Sequence, residues 1–281
     1  MNPYEGQPIS VLLRKYNLRP RKGLGQNFLT DPFHLGKIID IADLTPNDTV
    51  LEVGPGPGTL TRLLAAAAGQ VIAIELDPEM VKLLQVEYGH LENLTIVEAD
   101  ILETDINALL PPRTCRSPAF KVVANLPYYI TSAAVRHLLE ASPRPERLVI
   151  TVQKEVALRM VAEPGKMSLL AVSVQFYGQP KLAHHIPAGA FYPSPNVDSA
   201  VVCIDTFAQP PLAVEDMAHF FQVVKAGFGQ KRKQLKNALA AGLHRSSSDM
   251  VMALKAAKID PARRAETLSM AEWGRLAKVI T

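Results

Sequence analysis

Cysteine is scarce in this chain: Cys115 falls in a proline-rich stretch and Cys203 in an apolar run. Two thiols so placed give no disulfide framework and fit a reducing compartment. Long hydrophobic runs are missing as well, since stretches such as Leu169 to Val174 fall far short of the roughly 20 residues a membrane-spanning helix needs. The opening MNPYEGQPIS has no apolar core of the kind a secretory signal carries, so the expectation is a cytoplasmic protein with no membrane partner. His184-His185 has no further spaced His or Cys to complete a ligand set, and no metal is expected. Strong net charge is lacking too; a balance of +3 says little about partners. The cations are nevertheless uneven. Arg14, Lys15, Arg19, Arg21 and Lys22 crowd the first segment, and Lys225, Lys231, Arg232, Lys233 and Lys236 crowd a later one.

What is present is an ordinary globular composition, 48% hydrophobic and 20% charged, over 281 residues, enough for one large domain or one large and one small. From residue 49 onward, short β-branched runs alternate with helical periodicity. The runs TVLEV (49–53), QVIAIE (70–75), LTIVEA (94–99), FKVVAN (120–125) and RLVITVQ (147–153) read as strands. Between them TLTRLLAAAA, PEMVKLLQVEY and TSAAVRHLLEA read as helices, the last with Thr131 or Ser132 as N-cap. Such alternation implies right-handed crossovers, hence a parallel sheet with helices on both faces and ligands at the carboxyl ends of its strands. KLAHHIPA and SAVVCIDTF read as a hairpin-type pair that completes the sheet. After Gln209-Pro210-Pro211 only helical patterns remain. The expected organisation is a basic arm with a closing motif (1–30), an α/β domain (31–208) and a small helical domain (209–281).

The strand ends carry the chemistry. Val50-Leu51-Glu52-Val53 runs into Gly54-Pro55-Gly56-Pro57-Gly58, where alternate glycines let the backbone turn tightly and approach a ligand without a Cβ in the way. The spacing is not the GxGxxG of a dinucleotide site. At the second strand end Glu75 is placed to accept both hydroxyls of a ribose laid across that loop, whereas Asp77 suits the start of the helix at Pro78. At the third, Asp100 is placed to accept from an adenine amino group while Ile101 packs on the ring. Each feature alone also reads as a plain turn or a capping acid; three in succession point to an adenosyl ligand. The fourth strand ends Asn125-Leu126-Pro127-Tyr128. An exocyclic amine on a planar base needs two acceptors, and the Asn125 side-chain oxygen and the Leu126 carbonyl supply them. Proline fixes the turn, and Tyr128 offers a face for stacking. A strand-ending turn with a core aromatic is the alternative.

These residues carry a resemblance. Gly25-Gln26-Asn27-Phe28-Leu29, Glu52 through Gly58, Glu75-Leu76-Asp77, Glu98-Ala99-Asp100, Asn125 through Tyr128, Phe191-Tyr192-Pro193-Ser194-Pro195 with Val197 and Ser199, and Phe228-Gly229-Gln230-Lys231-Arg232-Lys233 with Lys236 and Asn237 occur in that order. The chain closely resembles the small-subunit rRNA adenine N6,N6-dimethyltransferases, which are S-adenosylmethionine-dependent class I methyltransferases. The resemblance implies an α/β fold, a Rossmann-like, mostly parallel seven-stranded methyltransferase sheet with a small C-terminal all-helical domain. It implies that Gln26, Asn27 and Leu29 close over the methionine part of the cofactor. Gly54, Gly56 and Gly58 form the turn beneath it, Glu75 holds the ribose, Asp100 reads the adenine, and Leu76, Ile101 and Asn125 complete the cofactor set. Asn125, Leu126 and Pro127 hold the target amine, and Tyr128 and Phe191 sandwich its base. Arg21, Lys22, Lys225, Lys231, Arg232, Lys233 and Lys236 are the implied RNA contacts. Lys231 departs from a frequent arginine and loses the bidentate fork.

The implied activity is dimethylation of the N6 amines of two adjacent adenosines near the 3′ end of small-subunit rRNA. The implied partner is an immature small ribosomal subunit, met by a monomer with a linked role in assembly. The alternatives are a large-subunit rRNA adenine methylase, which shares most of these motifs, and a chiefly non-catalytic assembly checkpoint.

Overall fold

The computed structural model describes residues 8–110, 120–209, 212 and 216–280. Cys115 and the Pro210-Pro211 boundary lie outside the described residues. In chain order the elements begin with α1 (Ile9–Lys15), β1 (Phe28–Leu29), α2 (Pro32–Ala42), β2 (Thr49–Val53), α3 (Thr61–Ala67), β3 (Gln70–Glu75) and α4 (Pro78–Tyr88). They continue with β4 (Leu94–Glu98), α5 (Ile106–Leu109), β5 (Lys121–Asn125), α6 (Thr131–Glu140), β6 (Arg147–Gln153), α7 (Lys154–Met160) and α8 (Leu169–Tyr177). Last come β7 (Gly178–Ile186), β8 (Phe191–Tyr192), β9 (Ser199–Thr206) and the helices α9 (Met217–Phe228), α10 (Leu235–Leu243), α11 (Ser247–Ala256) and α12 (Met270–Val279).

The five strands expected from β-branched runs form within one residue of their expected ends and make a parallel core, β4-β3-β2-β5-β6. Burial on both faces explains the continuous Val/Ile character of β2, β3, β5 and β6, whereas β4, at the sheet edge, is only partly buried. β9 adds antiparallel to β6, with β7 outside it, which completes seven strands with the expected pair at one edge. β2 leads through α3 to β3 on one side, while β5 pairs with it on the other. The order therefore reverses between β2 and β5, and at such a switch point the chain opens a crevice above the strand ends.

Local chemistry sets the helix starts beside that crevice. Asp77 accepts from Glu79 N at 3.2 Å and caps α4, with Pro78 at the first helical position. The expected cap of α6 by Thr131 or Ser132 is not formed. Ile130 occupies the cap position without a side-chain bond, and Thr131 Oγ1 donates instead to Pro127 O at 3.2 Å, because the preceding turn already presents that carbonyl.

Contacts divide the chain into two compact units, Met1–Ala157 with Pro180–Thr206, and Leu158–Gln179 with Phe207–Thr281. The first holds the sheet and its core, in which Val50, Val71, Val123, Val149 and Val201 pack with residues of α2 and α3. The second is helical and includes α8, which a boundary at 209 leaves out. α8 joins it through Phe176, stacked on Phe220 at 4.9 Å and edge-on to Phe221 at 5.2 Å. Trp273 is fully buried in this unit, and its ring lies against Phe228.

Candidate active site

A cleft of about 970 Å³, counting its open mouth, lies over the carboxyl ends of β2 to β5. Its walls hold Gly54 and Gly56 from the first strand end, Glu75 and Leu76 from the second, Asp100 and Ile101 from the third, and Asn125 through Tyr128 from the fourth. Gln26 and Asn27 close it from the N-terminal side. The structure thus brings together most of the residues expected to bind cofactor and target. Among the described residues lining it there is no Lys or Arg, while Glu75 and Asp100 both face it.

Glu75 is held from below. Gly56 N donates to its Oε2 at 3.0 Å and Asp77 N to its Oε1 at 2.9 Å. Burial pushes its pKa up, since the side chain is almost removed from water, and those backbone N–H groups oppose the rise by favouring the carboxylate. Each oxygen keeps a further lone pair for a ligand hydroxyl. The glycine turn permits this geometry: Gly56 has φ 55°, and a Cβ there would come within 2.7 Å of the Phe28 ring. Asp100 Oδ1 accepts from Leu102 N at 2.8 Å, which fixes the third strand end.

Sequence reasoning gave Glu52 no role of its own. It is 1% exposed and Oε2 meets no partner among the described residues. Burial, with the charge of nearby Glu75 adding to it, pushes its pKa up to about 8, so the free protein carries it uncharged at neutral pH. Its strand-end position was visible; that it lies buried with one oxygen lacking a donor was not.

At the fourth strand end, Asn125 Nδ2 donates to Asn27 O at 3.0 Å, so the amide nitrogen is committed and Oδ1 is the side chain's acceptor. Leu126 N donates to Thr151 O at 3.2 Å, and Pro127 O receives Ile130 N at 3.2 Å, which closes the turn. Tyr128 is half-buried with its hydroxyl 2.8 Å from Ser199 Oγ; burial raises its pKa, and the pairing leaves the ring to present a face. Tyr129, which the sequence reading did not use, is 59% exposed, lines the cleft and packs against Gly25.

Other expected residues lie elsewhere. β1 and β8 form a two-residue antiparallel ladder, Phe28 opposite Tyr192 and Leu29 opposite Phe191. Alternation along so short a ladder sends Leu29 and Phe191 into the core, and neither lines the main cleft. Gly58 also stands outside it, under the Tyr88 ring. Arg21, expected to meet RNA, pairs with Asp77 at 2.9 Å. Lys22 is exposed in a short 3-10 turn. Lys225 is exposed on α9, while Lys231, Arg232 and Lys233 occupy the exposed turn between α9 and α10 and Lys236 is half-buried at the start of α10. His184 meets His34 at 2.8 Å, a partner from a distant segment, and among the described residues no three His, Cys, Asp or Glu side chains gather as a metal site.

Comparison with known proteins gives one consistent pattern. A family profile for ribosomal RNA adenine dimethylase matches residues 17–281. The chain is 50% identical over 273 residues to the ribosomal RNA small subunit methyltransferase A of Dehalococcoides mccartyi, covering 96% of this chain and 91% of that protein. It is 44% identical to the protein of the same name in Moorella thermoacetica, covering 96% of each. Among solved structures it is similar to the 23S rRNA methyltransferase ErmE, with 30% identity, a TM-score of 0.70, and coverage of 90% of this chain and 99% of that one.

Proposed function

The chain belongs to the ribosomal RNA adenine dimethylase family, and from that premise we propose that its cleft holds S-adenosylmethionine across β2 to β4 and an adenine amine at Asn125. It is an rRNA adenine dimethyltransferase acting on small-subunit rRNA. The observation that carries the cofactor reading is the charge of the cleft, which has two acids and no cation on its described walls. A dinucleotide pyrophosphate would meet no countercharge there, whereas a sulfonium compound with a ribose and an adenine meets an acid for its diol, an acid for its amine and apolar walls from Leu76 and Ile101.

The bound cofactor supplies a methyl group on a positively charged sulfur. The protein's contribution is to place the amine. Asn125 Oδ1 and the Leu126 carbonyl accept its two N–H groups, the Pro127 turn holds that carbonyl in place, and the ring of Tyr128 stacks on the base. These bonds fix the nitrogen lone pair toward the methyl donor. Glu75 and Asp100 belong to the other strand ends, so the amine proton leaves to solvent after transfer. A base deep in such a site has been taken out of its helical stack.

The finer target is two adjacent adenosines near the 3′ end of small-subunit rRNA, presented within an immature subunit, with a linked role in assembly. The 50% and 44% relatives named for the small subunit support this over a large-subunit target, whose solved representative stands at 30%. Tritiated methyl transfer to immature small subunits, naked rRNA and large subunits, followed by mapping of the labelled base, tests it. Label confined to small-subunit adenosines is the expected result; label on large subunits would replace the substrate assignment.

A further inference from the structure

The segment from Arg21 to Phe28 forms a strap that walls the cleft through Leu24 to Phe28 and is anchored at both ends. Its 3-10 turn closes on itself, with Leu24 N donating to Arg21 O at 3.1 Å, Gly25 N to Lys22 O at 3.0 Å and Arg21 N to Gln26 Oε1 at 2.7 Å. The turn thereby projects Arg21 and Gln26 together onto one carboxylate: the Arg21 guanidinium reaches Asp77 Oδ1 at 2.9 Å and Gln26 Nε2 reaches Asp77 Oδ2 at 2.9 Å. Asp77 is buried, caps α4 and donates its own N–H to Glu75, so the tie pulls on the acid expected to hold the ribose. At the far end Asn27 O receives the Asn125 amide. Leu24 to Phe28 line the cleft between these anchors.

A strap that helps wall in a ligand has to loosen when the ligand is exchanged. Each cofactor delivers one methyl, so placing two on each adenosine requires spent cofactor to leave and fresh cofactor to enter repeatedly for every rRNA. Of the ties at Asp77, the Arg21 side chain is the charged one and is 51% exposed, so solvent and ions reach it first. We propose that Arg21 is a positioning residue that clasps this strap over the cofactor, and that release of the clasp sets the rate of cofactor exchange between successive methyl transfers. The proposal rests on the S-adenosylmethionine reading of the cleft and assigns Arg21 to cofactor retention, not to rRNA.

The test uses the full chain with Arg21→Ala and, as the charge-conserving control, Arg21→Lys. Displacement of tritiated S-adenosylmethionine is expected to run about five- to tenfold faster in Arg21→Ala, the worth of one charge-assisted bond at a partly exposed site, and to return most of the way in Arg21→Lys. KM for the cofactor rises while single-turnover methyl transfer at saturating cofactor stays unchanged. Amide exchange over 22–28 in cofactor-free protein accelerates, and the salt slope for binding immature subunits does not move. Unchanged displacement in Arg21→Ala, with wild type retaining cofactor, overturns the clasp alone, and a lowered salt slope beside it assigns Arg21 to RNA. Wild-type protein that retains no S-adenosylmethionine overturns the cofactor reading and the clasp with it.

Discussion

At the cleft, the acids are held by fixed donors: Glu75 accepts from Gly56 N and Asp77 N, and Asp100 from Leu102 N, while Asp77 next to Glu75 accepts from Glu79 N and from the Gln26 and Arg21 side chains. In the helical unit, Lys231, Arg232 and Lys233 stand exposed on a turn, and among the described residues none meets an acid at ion-pair distance. The sequence from Met217 to Ser248 contains no Asp or Glu at all. One region spends its charge on fixed geometry and the other keeps it available. Positioned chemistry requires groups that do not reorganise when the reaction occurs, whereas a polyanion is held through long-range attraction that tolerates motion and is screened by salt.

The comparison breaks most sharply at Asn125. Asn125→Ala removes one of two acceptors for the amine and is expected to cost on the order of 10²-fold in single-turnover rate, with cofactor and subunit affinities near wild type; a wild-type rate would leave the amine to other groups. In the helical unit, Lys231, Arg232 and Lys233 replaced together by alanine should weaken binding to immature subunits roughly 30-fold at about 0.1 M salt and lower the salt slope by up to about three units. Cofactor affinity should not change, and parallel salt lines of equal intercept would make the cluster ordinary surface charge. Glu75→Ala is expected to weaken S-adenosylmethionine binding about tenfold by calorimetry, and unchanged affinity would take it out of the site.

The smallest effect concerns Glu52. Its folded pKa of about 8 lies above the roughly 4.3 of an unfolded chain. Between those values the unfolded state has lost the proton and the folded state keeps it, so this group lowers stability progressively as pH rises from about 4 to 8. In cofactor-free protein the melting temperature of Glu52→Gln relative to wild type should therefore climb steadily across that window, and a flat difference would mean the carboxyl is already charged at neutral pH.

The sheet was legible because its strands are short β-branched runs; β2 to β5 are each stopped by glycine, an acid or Asn-Leu-Pro, and those four stops are the site itself. α8 was not, because LLAVSVQFY is buried nearly all round and shows no polar face to set a helical period. The two-residue strands β1 and β8 are too short to show alternation, so the inward turn of Phe191 could not be read from its motif. Arg21 looked like one cation among five; only the fold reveals that a buried acid 56 positions later in the chain claims it. Lys231, Arg232 and Lys233 were legible as a basic cluster, but not as a turn between two helices: α9 ends at Phe228 and α10 starts at Leu235, the first buried residue after it.

The ladder between β1 and β8 also bears on how the chain matures. Thr30 donates to Ala190 across 160 positions of sequence, next to the pairs Leu29–Phe191 and Phe28–Tyr192. Closing so long a loop costs conformational entropy that only late, non-local contacts recover, which places this pairing among the slow events of folding. During synthesis the glycine turn, Glu75 and Asn125 emerge well before Phe191, so the parallel core can assemble while β1, at the end of the strap, still waits for β8. A nascent chain released before residue 192 would hold the strand-end acids without the ladder that steadies Asn27 beside them, and competence for the reaction would arrive as a discrete late step.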